Sequence, residues 1–392
     1  MLRSSSFVGL VIAGYFVVSP LLYLMRITLG DEGSISILLR LMQPVLIIAL
    51  CSSLFLRPVR LDAFALVVLS IIAYGILMGL ANGFSPFDVI SGSIHYIQGL
   101  LIYVWAINVA DLEAIFLRLM RRLRAYYLPI LTLVMSWIYV SNFALGTSFY
   151  IGIATQALLP IYFWSMATQR GALSFIVLTL TFLSGKRSVL LAILAAAAMK
   201  FLCDILRLHL SRIFVSILVL AIPILFLSIS LNADFFARLL RKYDFSGGDL
   251  DYLSSGRVAE VSSAFSGWTE SSLTLFFGSG FGDTYMILPD DPNGSISLVQ
   301  NIHFSYGNSL LVFGPALALI FHLAIFVRIW ESARSIKFCS SEMRLQQYTM
   351  LAHLVLAVFA LTLYADPIFW MLLAFGRRKW KQEHQKNLRI LA

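Results

Sequence analysis

Charge is scarce in this chain. Only 12% of its 392 residues are Asp, Glu, Lys or Arg, against 59% that are hydrophobic, too few to solvate the two or three soluble domains such a length would otherwise suggest. Its three cysteines, Cys51, Cys203 and Cys339, have neither paired nor metal-ligand spacing, which argues against a disulfide framework or a zinc site. Low-complexity tracts are absent apart from Ala195 to Ala198, a run suited to close helix packing. Tandem or inverted halves are not evident, which counts against the many transporters built from two related repeats. The net charge of +9 is not gathered into a soluble basic patch, so no nucleic acid is expected as a partner.

What is present is apolar sequence in blocks. A bilayer core of about 30 Å takes roughly 20 helical residues, and such blocks fall near 7–25, 37–56, 61–80, 89–109, 125–143, 148–167, 170–185, 188–206, 213–231, 303–327 and 348–376. The first block lacks a small-residue cleavage pattern, so a retained span is expected there instead of a secretory signal. In the last block Asp366-Pro367 interrupts the run, and proline disfavours a helical residue before it. Two spans turning near Tyr364 to Pro367 are expected, the second of them short. The fold class is therefore an all-α polytopic membrane protein of about 12 transmembrane helices. Its parts are a bundle of spans over 1–231, a polar loop over 232–302 with short amphipathic helices, three more spans over 303–376 and a basic tail over 377–392.

The basic residues test that count. All 29 lysines and arginines except Arg26, Arg40, Lys186, Arg187, Arg238, Arg241, Lys242 and Arg257 fall on the side of the termini. Positive residues collect in the cytoplasm, so both termini are expected there and the long loop between spans nine and ten is expected outside.

Three basic clusters stand against this bias. Lys186 and Arg187 lie in the tight turn Leu183-Ser184-Gly185-Lys186-Arg187-Ser188. Arg there offers a planar fork of donors for phosphate oxygens and Lys a point charge, while snorkelling to lipid headgroups is an equal alternative. Arg238, Arg241 and Lys242 share a helical face opposite Phe235, Phe236, Leu239, Leu240 and Tyr243. That pattern fits an interfacial helix, either guiding an anionic lipid-linked substrate or simply anchored to headgroups. Arg257 opens a further amphipathic stretch with Val258, Val261, Phe265 and Trp268 at helical spacing. The loop around it is richer in Asp and Glu than in Lys and Arg, so Arg257 is an isolated cation for which a salt bridge to Glu260 is the plainer role.

Gly278-Ser279-Gly280-Phe281-Gly282 follows no strand of a βαβ unit, which discounts a nucleotide loop. Gly280 and Gly282 instead suit a tight backbone path or a close approach to substrate. His303 opens span ten in Asn301-Ile302-His303-Phe304-Ser305-Tyr306-Gly307-Asn308. An imidazole there is able to take a proton from a sugar hydroxyl, against the plainer role of a hydrogen-bonded interfacial histidine. His95 and Gln98, one helical turn apart in span four, are candidates to line the same cavity or to pair between helices. His209, His322, His353 and His384 fall toward the cytoplasmic side and are set aside.

Together these pieces resemble the O-antigen polymerase and O-antigen ligase superfamily of bacterial membrane glycosyltransferases. The resemblance rests on Ser184-Gly185-Lys186-Arg187-Ser188, a long loop after the ninth span, Ser255-Gly256-Arg257, Phe277 to Gly282, and His303 followed by Asn308 and Gly314. It covers about residues 180–330; the first half matches only as a bundle of spans. The commonest family pattern has an asparagine directly after the histidine, whereas here Phe304 follows and the asparagine is Asn308.

The resemblance implies glycosyl transfer without a metal or other cofactor, on the periplasmic side of the inner membrane, from an undecaprenyl-pyrophosphate-linked sugar. Arg187 and Arg257 would engage the pyrophosphate and His303 would assist the acceptor hydroxyl. Lys186, Arg238, Arg241, Lys242, Gly280, Gly282, Asn308 and His95 are the candidate substrate contacts. Membrane lipids and a chain-length regulator are the other partners to look for. Polymerisation of repeat units is the first expectation, ligation of finished polymer to lipid A core the second, and a flippase for the lipid-linked sugar the alternative from another class.

Overall fold

The computed structural model describes residues 2–29, 32–55, 58–109, 111–145, 157–168, 170–184, 187–206, 257–269, 272–287, 297–299, 302, 304–335, 340–358, 364 and 366–391. Lys186, Arg238, Arg241, Lys242, His303 and the expected span at 213–231 lie outside the described residues.

Before the long loop come α1 (Leu2–Leu29), α2 (Glu32–Phe55), α3 (Ala63–Ala81), α4 (Pro86–Asn108), α5 (Leu112–Arg122), a π-helical turn (Leu123–Tyr127), α6 (Leu128–Leu145), α7 (Leu158–Ala167), α8 (Gly171–Leu183) and α9 (Arg187–Leu206). Within and after it come α10 (Arg257–Thr269), α11 (Ser272–Phe277), β1 (Tyr285–Ile287), β2 (Ser297–Val299), α12 (Ser305–Ser335), α13 (Ser341–Leu356) and α14 (Pro367–Leu391). The strands form one antiparallel hairpin with Met286 opposite Leu298; sequence periodicity gave no sign of it. The described residues are otherwise helical wherever the structure is regular.

Among the described residues three helical stretches, Ala63–Ala81, Pro86–Asn108 and Ser305–Arg334, are long and apolar enough to cross a bilayer, the third of them broken at Gly314. Their outward faces carry large apolar side chains, among them Leu77 at 66% and Leu319 at 60% exposure. Water would penalise such a continuous apolar surface, whereas lipid matches it. This is the make-up of a helical membrane protein.

The chain divides into two compact units. The first comprises Met1–Ser53, Ala110–Asp244 and Cys339–Val355. Here α1 packs on α5 and α6, and α7 on α8. Helix α5 buries Leu112, Ile115, Phe116 and Leu119, spaced at three and four residues, while Arg118 and Arg121 stay exposed, the stripe of an amphipathic helix. The Arg124 and Arg170 guanidinium groups both lie over the Trp164 ring, at 5.4 and 5.7 Å, a placement that the ring quadrupole favours.

The second unit comprises Leu54–Val109, Phe245–Phe338 and Leu356–Ala392, with α3, α4, α12 and α14 packed on one another. Asp62 joins all four of these helices. Its Oδ1 caps α3 through the Ala65 amide at 3.0 Å, and its Oδ2 accepts from the Tyr103 hydroxyl at 2.9 Å and from Arg328 at 3.1 Å. Arg377 approaches the same oxygen at 3.6 Å, and Glu331 pairs with Arg328 at 2.5 Å and Arg377 at 2.9 Å.

Helix α14 starts inside this unit. Every residue from Ile368 to Phe375 is buried, and Asp366 caps the helix through the Ile368 amide at 2.7 Å. Trp370 donates to the Tyr364 carbonyl at 3.0 Å and lies against Gly99, midway along α4. The turn expected near Tyr364 to Pro367 therefore sits beside the middle of α4 and not beside its end.

Candidate functional site

The glycine-rich segment is built into the second unit. Helix α12 breaks at Gly314, where φ is 74° and ψ is 167°. Pro315 has no N–H to give the Leu311 carbonyl four residues earlier, and the break also frees the Val312 carbonyl. Ser279 and Gly280 donate their amides to these two carbonyls at 2.9 and 3.0 Å, and the Phe281 amide reaches the Gly75 carbonyl of α3 at 2.9 Å. Tyr74 and Asn82 donate to the Phe277 and Ser279 carbonyls, each at 2.8 Å. Irregular backbone is tolerated among apolar helices when its polar groups are paired in this way.

Close approach explains the glycines. Gly280 has φ of +79° and its Cα faces the Gly79 backbone, so a methyl group at either position would overlap the other strand of chain. Gly282, at φ of +100°, lies against Phe84 and Val89. Phe281 is buried between Gly75 and Gly92, edge-on to Tyr96 and Phe313. Because the Ser279, Gly280 and Phe281 amides are consumed by bundle carbonyls, they do not cradle a phosphate. Gly280 and Gly282 serve a tight backbone path.

Asn308 holds the chain on both sides of His303. Its Oδ1 accepts the Ile302 amide at 3.1 Å and its own amide donates to the Phe304 carbonyl at 2.8 Å. Its Nδ2 donates to the Tyr96 hydroxyl at 3.0 Å, and the side chain is buried. Both ends of this amide are thus engaged within the protein.

The stretch opened by Arg257 forms α10, as the spacing of Val258, Val261, Phe265 and Trp268 predicts. Ala264 and Trp268 of α10 share a buried cluster with Tyr285, Ile302 and Leu311. One helix face is thereby fixed to the residue that precedes His303 and to the lip of the α12 break. Below it, burial raises the Asp283 carboxyl above its ordinary range, opposed by hydrogen bonds from Ser279 and Thr284. Burial also pushes the neighbouring Tyr285 phenol up.

Of the expected site residues, Arg257, Gly280, Gly282, Asn308 and His95 belong to the second unit and Arg187 heads α9 in the first. His95 is half-buried on α4 next to Tyr96. Three polar contacts escaped the sequence reading, which set His322 aside. Tyr96 stacks on Tyr364 at 4.2 Å, the Tyr364 hydroxyl donates to the Ser305 carbonyl, and Ser309 meets His322 at 2.6 Å. The available signal was Gly314-Pro315, which folds α12 back and carries His322 toward Ser309. Among the described residues no group of His, Cys, Asp and Glu is arranged to hold a metal ion. No family model matches the chain, and no match to a curated protein was found.

Proposed function

We propose that this chain joins undecaprenyl-pyrophosphate-linked oligosaccharide repeat units into O-antigen or a related surface polysaccharide. In this reading about 12 spans keep both termini in the cytoplasm of a bacterial inner membrane, and residues 232–302 face the periplasm. The partners are the lipid-linked glycans, membrane lipids and a chain-length regulator.

The observation that carries the reading is the packing of α10, the helix headed by Arg257, onto Ile302, the residue before His303. Helix α10 and Ile302, more than thirty residues apart in sequence, thereby belong to one packed cluster. In the reaction, the acceptor hydroxyl gives its proton to His303 and its oxygen forms the new bond to the anomeric carbon. The bond from that carbon to the pyrophosphate oxygen breaks, and its electron pair leaves with the pyrophosphate. Arg257 and Arg187 stabilise the charge that develops there.

Deletion of the gene tests the reading, by inspection of the surface glycolipid and the lipid-linked pool. Lipid A core bearing one repeat unit is the expected result. Bare core with long lipid-linked chains would assign the ligase step instead, and bare core with units trapped on the cytoplasmic face would assign a flippase. Restoring Arg187→Ala, Arg257→Ala or His303→Ala should yield inserted protein with reduced elongation in each case.

A further inference from the structure

Ser309 Oγ and His322 Nε2 lie 2.6 Å apart within one helix assignment. An unbroken helix would hold Cα atoms thirteen residues apart at about 20 Å. The contact exists because the arm Ser305 to Phe313 folds back at Gly314 onto the segment that Pro315 begins. The number of protons available decides which group donates. Ser309 has one hydroxyl proton, and the Tyr306 carbonyl, 2.7 Å away, only accepts. The hydroxyl donates to that carbonyl and offers a lone pair to His322, so Nε2 carries the imidazole proton, an assignment drawn from the hydrogen-bond network. The Tyr306 and Phe321 rings flank the imidazole at 5.0 and 5.4 Å, and such apolar surroundings strengthen the bond.

The arm is also the chain that follows His303. Ser305 is two residues beyond it, with its amide on the Ala357 carbonyl at 2.9 Å, and Asn308 ties Ile302 and Phe304. We propose that His322 is a positioning residue: by donating from Nε2 to Ser309 it holds the arm folded, and with it Ile302 and Phe304, the residues on either side of the acceptor-side base. The inference rests on the reading of His303 as the acceptor-side base. His322 does not touch the reacting atoms; a neutral donor at the same reach would serve in its place.

The test uses the full chain in lipid nanodiscs, with native cysteines replaced and spin labels at Leu310→Cys and Leu323→Cys, alongside elongation of a defined lipid-linked repeat unit. His322→Ala should broaden the label distance and lower kcat about ten- to a hundredfold with KM little changed, the range expected for displacement of a reacting group by about 1 Å. His322→Gln, which places an N–H donor at similar reach, should restore both. Ser309→Ala should match His322→Ala, and the double variant should lose no more than either single one.

An unbroadened distance or a full rate in His322→Ala overturns the proposal. So does a His322→Gln variant that is as slow as His322→Ala while keeping the narrow distance, because the imidazole itself would then be required. If the wild-type protein elongates nothing yet its label distance responds to His322→Ala and recovers in His322→Gln, the polymerase reading fails and the arm-holding role stands. If His303→Ala is inactive while His322→Ala runs at full rate, only the present inference fails.

Discussion

Asn308 accepts the Ile302 amide on its Oδ1 at 3.1 Å, and the same side chain donates to the Tyr96 hydroxyl at 3.0 Å. Replacing Asn308 with Ala leaves a buried amide proton and a buried phenol oxygen without these partners, a cost of about 1–3 kcal/mol for each group left unsatisfied. Asn308→Ala should lower the thermal midpoint in detergent and, on the proposed polymerase reading, reduce elongation. Asn308→Asp keeps the acceptor for Ile302 but buries a charge and loses the donor to Tyr96, so it should be at least as damaging. A wild-type midpoint in both variants would show that these bonds hold nothing in place.

Gly79 and Gly280 meet backbone to backbone, with no room for a methyl group on either. Gly79→Ala must push the Phe281 carbonyl away and with it the amides that pair with Leu311, Val312 and Gly75. The cost should reach the overpacking range of about 1–3 kcal/mol and, with the loop amides unpaired, exceed it. Gly14 and Gly171 have nothing within 4 Å of an added methyl, so Gly14→Ala and Gly171→Ala are the matched controls. Thermal midpoints of the four proteins check this directly, with Gly280→Ala, also strained at φ of +79°, as the fourth.

Hydropathy made the helical, apolar make-up legible because a bilayer imposes both length and composition on a helix that crosses it. The spacing of Val261, Phe265 and Trp268 likewise announced α10, whose buried face they form together with Ala264. What hydropathy does not report is whether an apolar run is straight. Residues 303–327 read as one span, yet Gly314 turns the chain and lets Ser309 meet His322. The same blindness hid the start of α14 in the interior, where Asp366 supplies the cap that a buried helix end requires. Asn308 was read as a substrate contact from its place near His303; within the protein its partners include Ile302 and Tyr96, and Tyr96 is 212 residues away in sequence. Pairings of that range leave no local pattern to detect.

Asp62 supplies one oxygen to the α3 cap and the other to Arg328 and Arg377. Asp62→Ala leaves both arginines with Glu331 as the acidic partner within this network and uncaps α3. Arg328 is only 7% exposed at its side chain, so the loss should approach the roughly 3–5 kcal/mol typical of breaking a buried pair by removing one partner. Asp62→Asn retains an acceptor for the Ala65 amide and should cost less. Chemical unfolding of the three proteins ranks them, and an Asp62→Ala midpoint equal to that of Asp62→Asn would mean that the cap contributes nothing measurable.

Asp283 offers a pH-dependent check on the docked loop. Burial raises its folded-state pKa above the ordinary value of 3.8, with hydrogen bonds from Ser279 and Thr284 pulling the other way. The folded protein therefore holds the carboxyl proton more tightly than the unfolded chain does. The stabilisation due to that proton is fully present below the unfolded pKa and is lost as pH rises through the folded one. Asp283→Asn keeps an acceptor for the Thr284 amide, which Asp283 Oδ1 takes at 2.8 Å, and has no charge to bury. The variant should be more stable than wild type near pH 7, and the difference should vanish near pH 3, where both side chains are neutral. Thermal midpoints at the two pH values read the sign. A wild-type protein more stable than Asp283→Asn near pH 7 would mean that the hydrogen bonds to the carboxylate outweigh the cost of burying it.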